Sequence, residues 1–191
     1  MASVATKPMT AKEFYEFANR PENRDRHFEL EDGEIVEMSR PGQLHGVVCG
    51  NTVWLFGGYV RKIKRGRVCS NDSGLIIKRR PDTVRGPDIS LYLDNVKYAK
   101  IERKYARDFP TAIVEVLSPN DRLGKIIKRI QRFLARGVQI AWLVDPESRN
   151  VTIFRKSQAP YVLEEGQEIA GLTELPGFRC RVSELFEVNE D

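Results

Sequence analysis

Ala112-Ile113-Val114-Glu115-Val116-Leu117, followed by Ser118-Pro119-Asn120-Asp121, decides how this chain is read. An apolar run broken by a single charge is the pattern of a strand buried on both faces at the centre of a sheet. The four residues after it end the strand and cap a helix. Leu123, Ile126, Ile127, Ile130, Phe133 and Leu134 then recur at the helical period as far as the C-terminal stop at Gly137. Residues 138–144 and 151–154 read as strands on either side of the turn Asp145-Pro146-Glu147-Ser148. Strand, helix and strand in succession predict an α/β protein with a mixed central sheet flanked by helices.

Upstream, residues 10–17 predict a short helix, with Thr10 as its cap, Glu13 completing a capping box, and Phe14 and Phe17 on its apolar face. Residues 27–30 and 34–39 predict a hairpin around Glu31-Asp32-Gly33, because Asp-Gly supplies the positive φ angles of a tight turn. Residues 46–64 predict a helix with Val47, Asn51, Trp54, Leu55, Tyr59 and Lys62 near one face, at a propensity cost of about 2 kcal/mol for Gly57-Gly58. Trp54, Tyr59 and Trp142 are expected in the core rather than as base-stacking platforms. Residues 67–70, 74–78 and 87–93 read as consecutive strands. Beyond residue 163 come a loose strand, Pro176-Gly177-Phe178 and a short helix around 183–186, packed onto the body. The expectation is one domain over 1–191, with an N-terminal helix and hairpin in 10–45, a core in 46–155 and a small acidic C-terminal extension in 156–191.

With 191 residues, 41% hydrophobic and 30% charged, the chain can bury a core without metal or disulfide staples. No apolar run approaches the roughly 20 residues of a spanning helix, and the first ten residues hold no apolar signal segment. No membrane partner and a cytoplasmic location are therefore expected. Cys49, Cys69 and Cys180 are odd in number and without C-x-x-C spacing, which favours reduced thiols over a disulfide framework or a zinc motif. The net charge of +4 conceals an asymmetry, since residues 157–191 carry −6 and residues 1–156 carry +10. A basic body suits a polyanionic partner; a solvated charged surface is the alternative. The fingerprints of nucleotide hydrolysis, dinucleotide binding and zinc proteolysis are all missing.

Two carboxylates carry the chemical argument: Asp88, behind Pro87 at the head of a strand, and Glu115, inside the apolar run. Burying an ionised carboxylate costs several kcal/mol unless it is paired or holds a cation, so Glu115 requires an arginine or a metal. Two strand-borne carboxylates converging on one spot would supply the hard oxygen ligands of a divalent cation such as Mg²⁺. The helix after Glu115 is basic on its outer faces, through Arg122, Lys125, Lys128, Arg129, Arg132 and Arg136, and suits a phosphate backbone.

Pro87-Asp88, Val114-Glu115-Val116-Leu117-Ser118-Pro119, the basic amphipathic helix and Val144-Asp145-Pro146 form a series with Glu29-Leu30 and Asp32-Gly33-Glu34 ahead of them. From about Met9 to Phe186, and including Leu175-Pro176-Gly177-Phe178, this series resembles the bacterial Uma-two family of the PD-(D/E)XK restriction-nuclease superfamily. The resemblance implies a restriction-endonuclease-like core of helix, three strands, helix and strand. It also implies Asp88 and Glu115 as the acids that bind Mg²⁺ (or Mn²⁺), and hydrolysis of DNA phosphodiester bonds.

The superfamily motif places a lysine two residues after the second acid, where this chain has Leu117. In this branch the lysine comes from the following helix, at the position of Arg129. Arginine keeps its proton at physiological pH and cannot act as a base, but it can orient a phosphate or neutralise developing charge. With Ile130 at the centre of the buried face, Arg129 lies at about 100°, Lys125 at about 140° and Lys128 at about 160°. Arg129 is thus best placed to lean over the sheet, and Lys125, one turn earlier, is the second candidate. Superfamily members often add an acid from the first core helix, which has none here; Glu29 or Glu34 on the hairpin, or His45 as a ligand or base just ahead of that helix, are the candidates. The alternative function is a nucleic-acid-binding protein on the same fold that has lost cleavage. Cutting both strands of a duplex would suit a homodimer, although no segment marks an interface.

Overall fold

The computed structural model describes residues 7–119 and 121–188. In chain order its elements are α1 (Ala11–Ala18), β1 (His27–Glu31), β2 (Glu34–Met38), α2 (Gln43–Ile63), β3 (Arg67–Cys69), β4 (Leu75–Lys78), β5 (Thr83–Arg85), β6 (Ile89–Tyr92), β7 (Ala112–Val116), α3 (Leu123–Arg136), β8 (Ile140–Asp145), β9 (Asn150–Arg155), β10 (Tyr161–Glu164), β11 (Glu168–Ile169) and β12 (Cys180–Arg181). They form two compact units, neither of them continuous in sequence. The first joins the chain up to Arg40 with Gly74–Gly86 and Glu102–Asp108; the second joins Pro41–Ser73, Pro87–Ile101 and the chain from Phe109 onward. These limits do not follow divisions at residues 45 and 155.

In the first unit, strands run in the order β2-β1-β5-β4. The hairpin closes with Glu31 opposite Glu34, and Asp32 and Gly33 take φ of 49° and 84°. Any side chain at Gly33 would collide with Pro8, because a Cβ there would stand 2.4 Å from the Pro8 Cβ. The capping box of Thr10 and Glu13 starts α1, whose Ala11 and Phe14 pack against Leu30 and Val84. The sequence reading misses β5 and so runs residues 74–78 into one series with 67–70 and 87–93. Three residues are too few to show periodicity, yet Thr83 and Val84 are buried, and β5 pairs β4 into this sheet.

The second unit holds a six-stranded sheet in the order β10-β9-β8-β7-β6-β3. Only β7 and β8 are parallel, joined by the crossover helix α3. All five residues of β7 are buried, as a central strand requires. Ala112, Val114, Val116, Ile140, Trp142 and Val144 alternate onto the face covered by α2. Ile113, Glu115 and Leu143 alternate onto the other face, against which α3 buries Ile130, Phe133 and Leu134.

Three details depart from the sequence reading. α2 starts at Gln43, three residues early, and buries Val48, Thr52, Phe56 and Tyr59 rather than the face through Asn51 and Trp54. Thr52 can be buried because its hydroxyl donates to the Val48 carbonyl at 2.7 Å, which shifts the buried line and leaves Trp54 73% exposed. At the other helix, Arg122 is the N-cap of α3 and makes no side-chain cap bond, because Asp121 accepts the Ser118 N–H instead; Asn120, part of the expected cap, lies outside the described residues. Finally, residues 169–186 enter the core itself: Ile169, Leu172, Leu175, Phe178, Val182 and Leu185 are buried, and Phe178 stands 5.4 Å from Phe56 and 5.7 Å from Trp142 between ring centroids. Cys49, Cys69 and Cys180 are free. Among the described residues, no helix is long and apolar enough to cross a membrane.

Candidate active site

β6 and β7 deliver the two acids. Ile89 is in register with Val114, so Asp88 and Glu115 are the next residues outward on neighbouring strands, at the end where β7 leads toward α3. Asp88 Oδ2 accepts the Val116 backbone N–H at 2.7 Å and lies 3.3 Å from His45 Nε2. Glu115 is 5% exposed, and Arg129 donates from Nε to its Oε1 at 2.8 Å. The guanidinium compensates the desolvation that the strand imposes on this carboxylate.

His45 sits in the first turn of α2 with Cys49 one turn later, so both side chains leave the same helix face. Cys49 Sγ lies 3.5 Å from His45 Nδ1. When the ring is neutral, Nε2–H donates to Asp88 and the thiol can donate to Nδ1. The hydrogen bond to Asp88 holds the imidazole above its ordinary range, against the effect of burial, with the charges of Asp88, Asp72 and Asp121 adding to it. Burial pushes the Cys49 thiol up to about 12, and the charges of Asp88, Asp72 and Glu115 act in the same direction.

A raised histidine contributes stability that is fully present below pH ~6.5 and is lost as pH climbs through its folded-state value. With only two histidines in the chain, the assignment is simple. The His45 ring protons are expected to titrate in NMR with a midpoint above ~6.5, and Asp88→Asn moves that midpoint down. A midpoint at or below ~6.5 in the unaltered chain would contradict this geometry.

The remaining candidates separate. Arg122, Lys125 and Lys128 are exposed around the start and outer side of α3, whereas Arg129 is half-buried on Glu115. Glu29 and Glu34 belong to the first unit. There Glu29 is buried, pairs with Arg85 at 2.6 Å and accepts the Gly86 N–H, and Glu34 is exposed at the start of β2. The sequence reading misses Cys49. Its signal is the i, i+4 spacing from His45, which is visible only when both residues fall inside the helix.

Asp88 and Glu115 offer carboxylate oxygens, the donors that Mg²⁺ and Mn²⁺ prefer, and both polar contacts of Asp88 among the described residues fall on Oδ2. In donor type, the two carboxylates match a hard divalent cation. Carboxylates on adjacent strand ends, with a basic crossover helix following the second, give a restriction-endonuclease-like α/β protein. The chain belongs to the Uma2 family, described as "Putative restriction endonuclease", whose sequence profile matches residues 11–183. Five solved chains match. One is the crystal structure of a putative nuclease belonging to DUF820 from Anabaena variabilis ATCC 29413, which shares the fold with a TM-score of 0.78 at 21% identity, covering 94% of this chain and 98% of that one. No curated protein matches.

Proposed function

We propose that this chain is a metal-dependent endonuclease that hydrolyses DNA phosphodiester bonds, with Mg²⁺ (or Mn²⁺) held by Asp88 and Glu115. The observation that carries the reading is the position of these two acids, one register step beyond a paired strand contact, in a chain of the Uma2 family. The chemistry supplied by a bound divalent ion is activation of water and relief of charge on the phosphoryl oxygens. Asp88 is oriented for this role by the Val116 N–H, and Glu115 is paired in the sheet with Arg129. Once a cation takes over the charge of Glu115, the Arg129 guanidinium can face the scissile phosphate as a fixed donor. Arg122, Lys125 and Lys128 would hold the DNA backbone, with Arg122 nearest the helix start. A homodimer would place two such sites on opposite strands of a duplex.

A second reading, a nucleic-acid-binding protein without cleavage, is favoured by one observation: the expected lysine is absent, and Arg129 engages Glu115 directly. One experiment separates the two. The chain is incubated with supercoiled and linear DNA in Mg²⁺, Mn²⁺ or EDTA, beside Asp88→Asn and Glu115→Gln. Metal-dependent nicking that both variants lose establishes the nuclease. Retention of DNA that weakens steeply with salt, without cutting, establishes the binding protein. Neither cutting nor retention rejects both.

A further inference from the structure

His45, Cys49 and Asp88 form a second donor set whose chemistry differs from that of the carboxylate pair. One atom from each lies within 4.8 Å of the others: an imidazole nitrogen, a sulfur and a carboxylate oxygen. A tetrahedral zinc site with bonds of about 2.0–2.3 Å has donor-to-donor edges of roughly 3.3–3.8 Å, so side-chain rotations of about 1 Å would close the set. The helix fixes two of the three donors one turn apart, and the Val116 N–H anchors the third. The side chains of His45 and Asp88 are only 10% and 15% exposed, yet an open cleft of about 340 Å³ lined by His45, Cys49, Asp72 and Asp88 reaches them. That cleft leaves room for water as a fourth ligand. Asp72 adds negative potential, acting on both His45 and Cys49.

We propose that His45, Cys49 and Asp88 bind a thiophilic divalent cation of the Zn²⁺ class, with water completing the tetrahedron. Nitrogen and sulfur donors select zinc or cobalt over Mg²⁺, which requires oxygen. On binding, the Cys49 S–H bond breaks, the His45 ring nitrogen that meets the ion gives up any proton it carries, metal–sulfur and metal–nitrogen bonds form, and the protons pass to solvent. Thiolate and carboxylate then balance the charge of the ion. Because Asp88 also serves the carboxylate pair, a cation held here withdraws a ligand from that centre. This consequence rests on the nuclease reading, whereas the binding itself does not.

The test titrates Co²⁺ into the full reduced, EDTA-treated chain and follows the near-ultraviolet thiolate-to-cobalt charge-transfer band. The expected result is a band that saturates at one equivalent, is bleached by Zn²⁺, is lost in Cys49→Ser and persists in Cys69→Ser and Cys180→Ser. His45→Gln is expected to weaken cobalt affinity at least about tenfold. No band in the unaltered chain, or a band that survives Cys49→Ser, overturns the proposal. The titration of the unaltered chain remains decisive even if a variant misfolds. DNA cleavage is read separately in Mg²⁺ with no cobalt or zinc present, so a chain that binds cobalt but does not cut DNA under that condition refutes the nuclease reading alone.

Discussion

If the chain is the nuclease proposed above, Asp88→Asn is expected to lower metal-dependent DNA cleavage by at least about a hundredfold while leaving the chain folded. Asparagine keeps the shape of aspartate and an oxygen that can still accept the Val116 N–H, so the hydrogen bond anchoring residue 88 survives. What disappears is the negative charge, which a hard cation needs in order to give up its hydration shell. Losing a preorganised charged group at a reacting centre costs on the order of 10²–10³ in rate, and a shared metal raises the loss toward the upper end. Thermal unfolding in EDTA should move little, because one net hydrogen bond is worth only about 1 kcal/mol and this one is retained. Initial rates on supercoiled DNA across a range of Mg²⁺ check the expectation. A variant within about tenfold of the unaltered chain at saturating Mg²⁺ would remove Asp88 from the metal centre.

Arg129→Ala should destabilise the metal-free chain by about 3–5 kcal/mol, the usual cost of breaking a buried ion pair from one side. The side chains of Arg129 and Glu115 are only 11% and 6% exposed, so the carboxylate loses a charged partner in a poorly hydrated setting. Removing the charge at the same time should restore most of the loss, and Glu115→Gln combined with Arg129→Met is therefore expected to be more stable than Arg129→Ala alone. Urea unfolding in EDTA measures both. Excess Mg²⁺ should recover part of the stability of Arg129→Ala, because a cation on Glu115 replaces the missing charge, and none of it in the double variant. A loss below about 1 kcal/mol for Arg129→Ala would mean that Glu115 is not held by this pair.

The centre of the fold was legible because its signals are long and redundant. β7 is apolar throughout except at Glu115, α3 repeats its apolar residues at the helical period, and β8 follows with the same pattern. The phase of α2 was not legible, since glycines dilute its apolar stripe and a buried threonine lies on it. β5 was too short to register. The contribution of residues 169–186 to the core was hidden by irregular spacing, as these apolar residues follow no regular period and are gathered by tertiary packing alone. At the site, a charge inside an apolar strand marked Glu115, and the helical angle from Ile130 pointed Arg129 toward the sheet, where the two side chains meet. Asp88 could be singled out only by its place in the Pro-Asp series. A helix read from residue 46 onward leaves His45 outside it and hides the i, i+4 link to Cys49.

The seating of Phe178 against Phe56 and Trp142 bears on how the chain is made in the cell. Synthesis proceeds from the N-terminus, and α2 and the sheet leave the ribosome before residues 169–186 do. Until that stretch emerges, the face of the sheet carrying Trp142 lacks much of its cover and presents apolar surface to the surrounding medium. The second unit therefore closes late in translation, and a nascent chain stopped before Phe178 holds Asp88 and Glu115 on an unfinished scaffold.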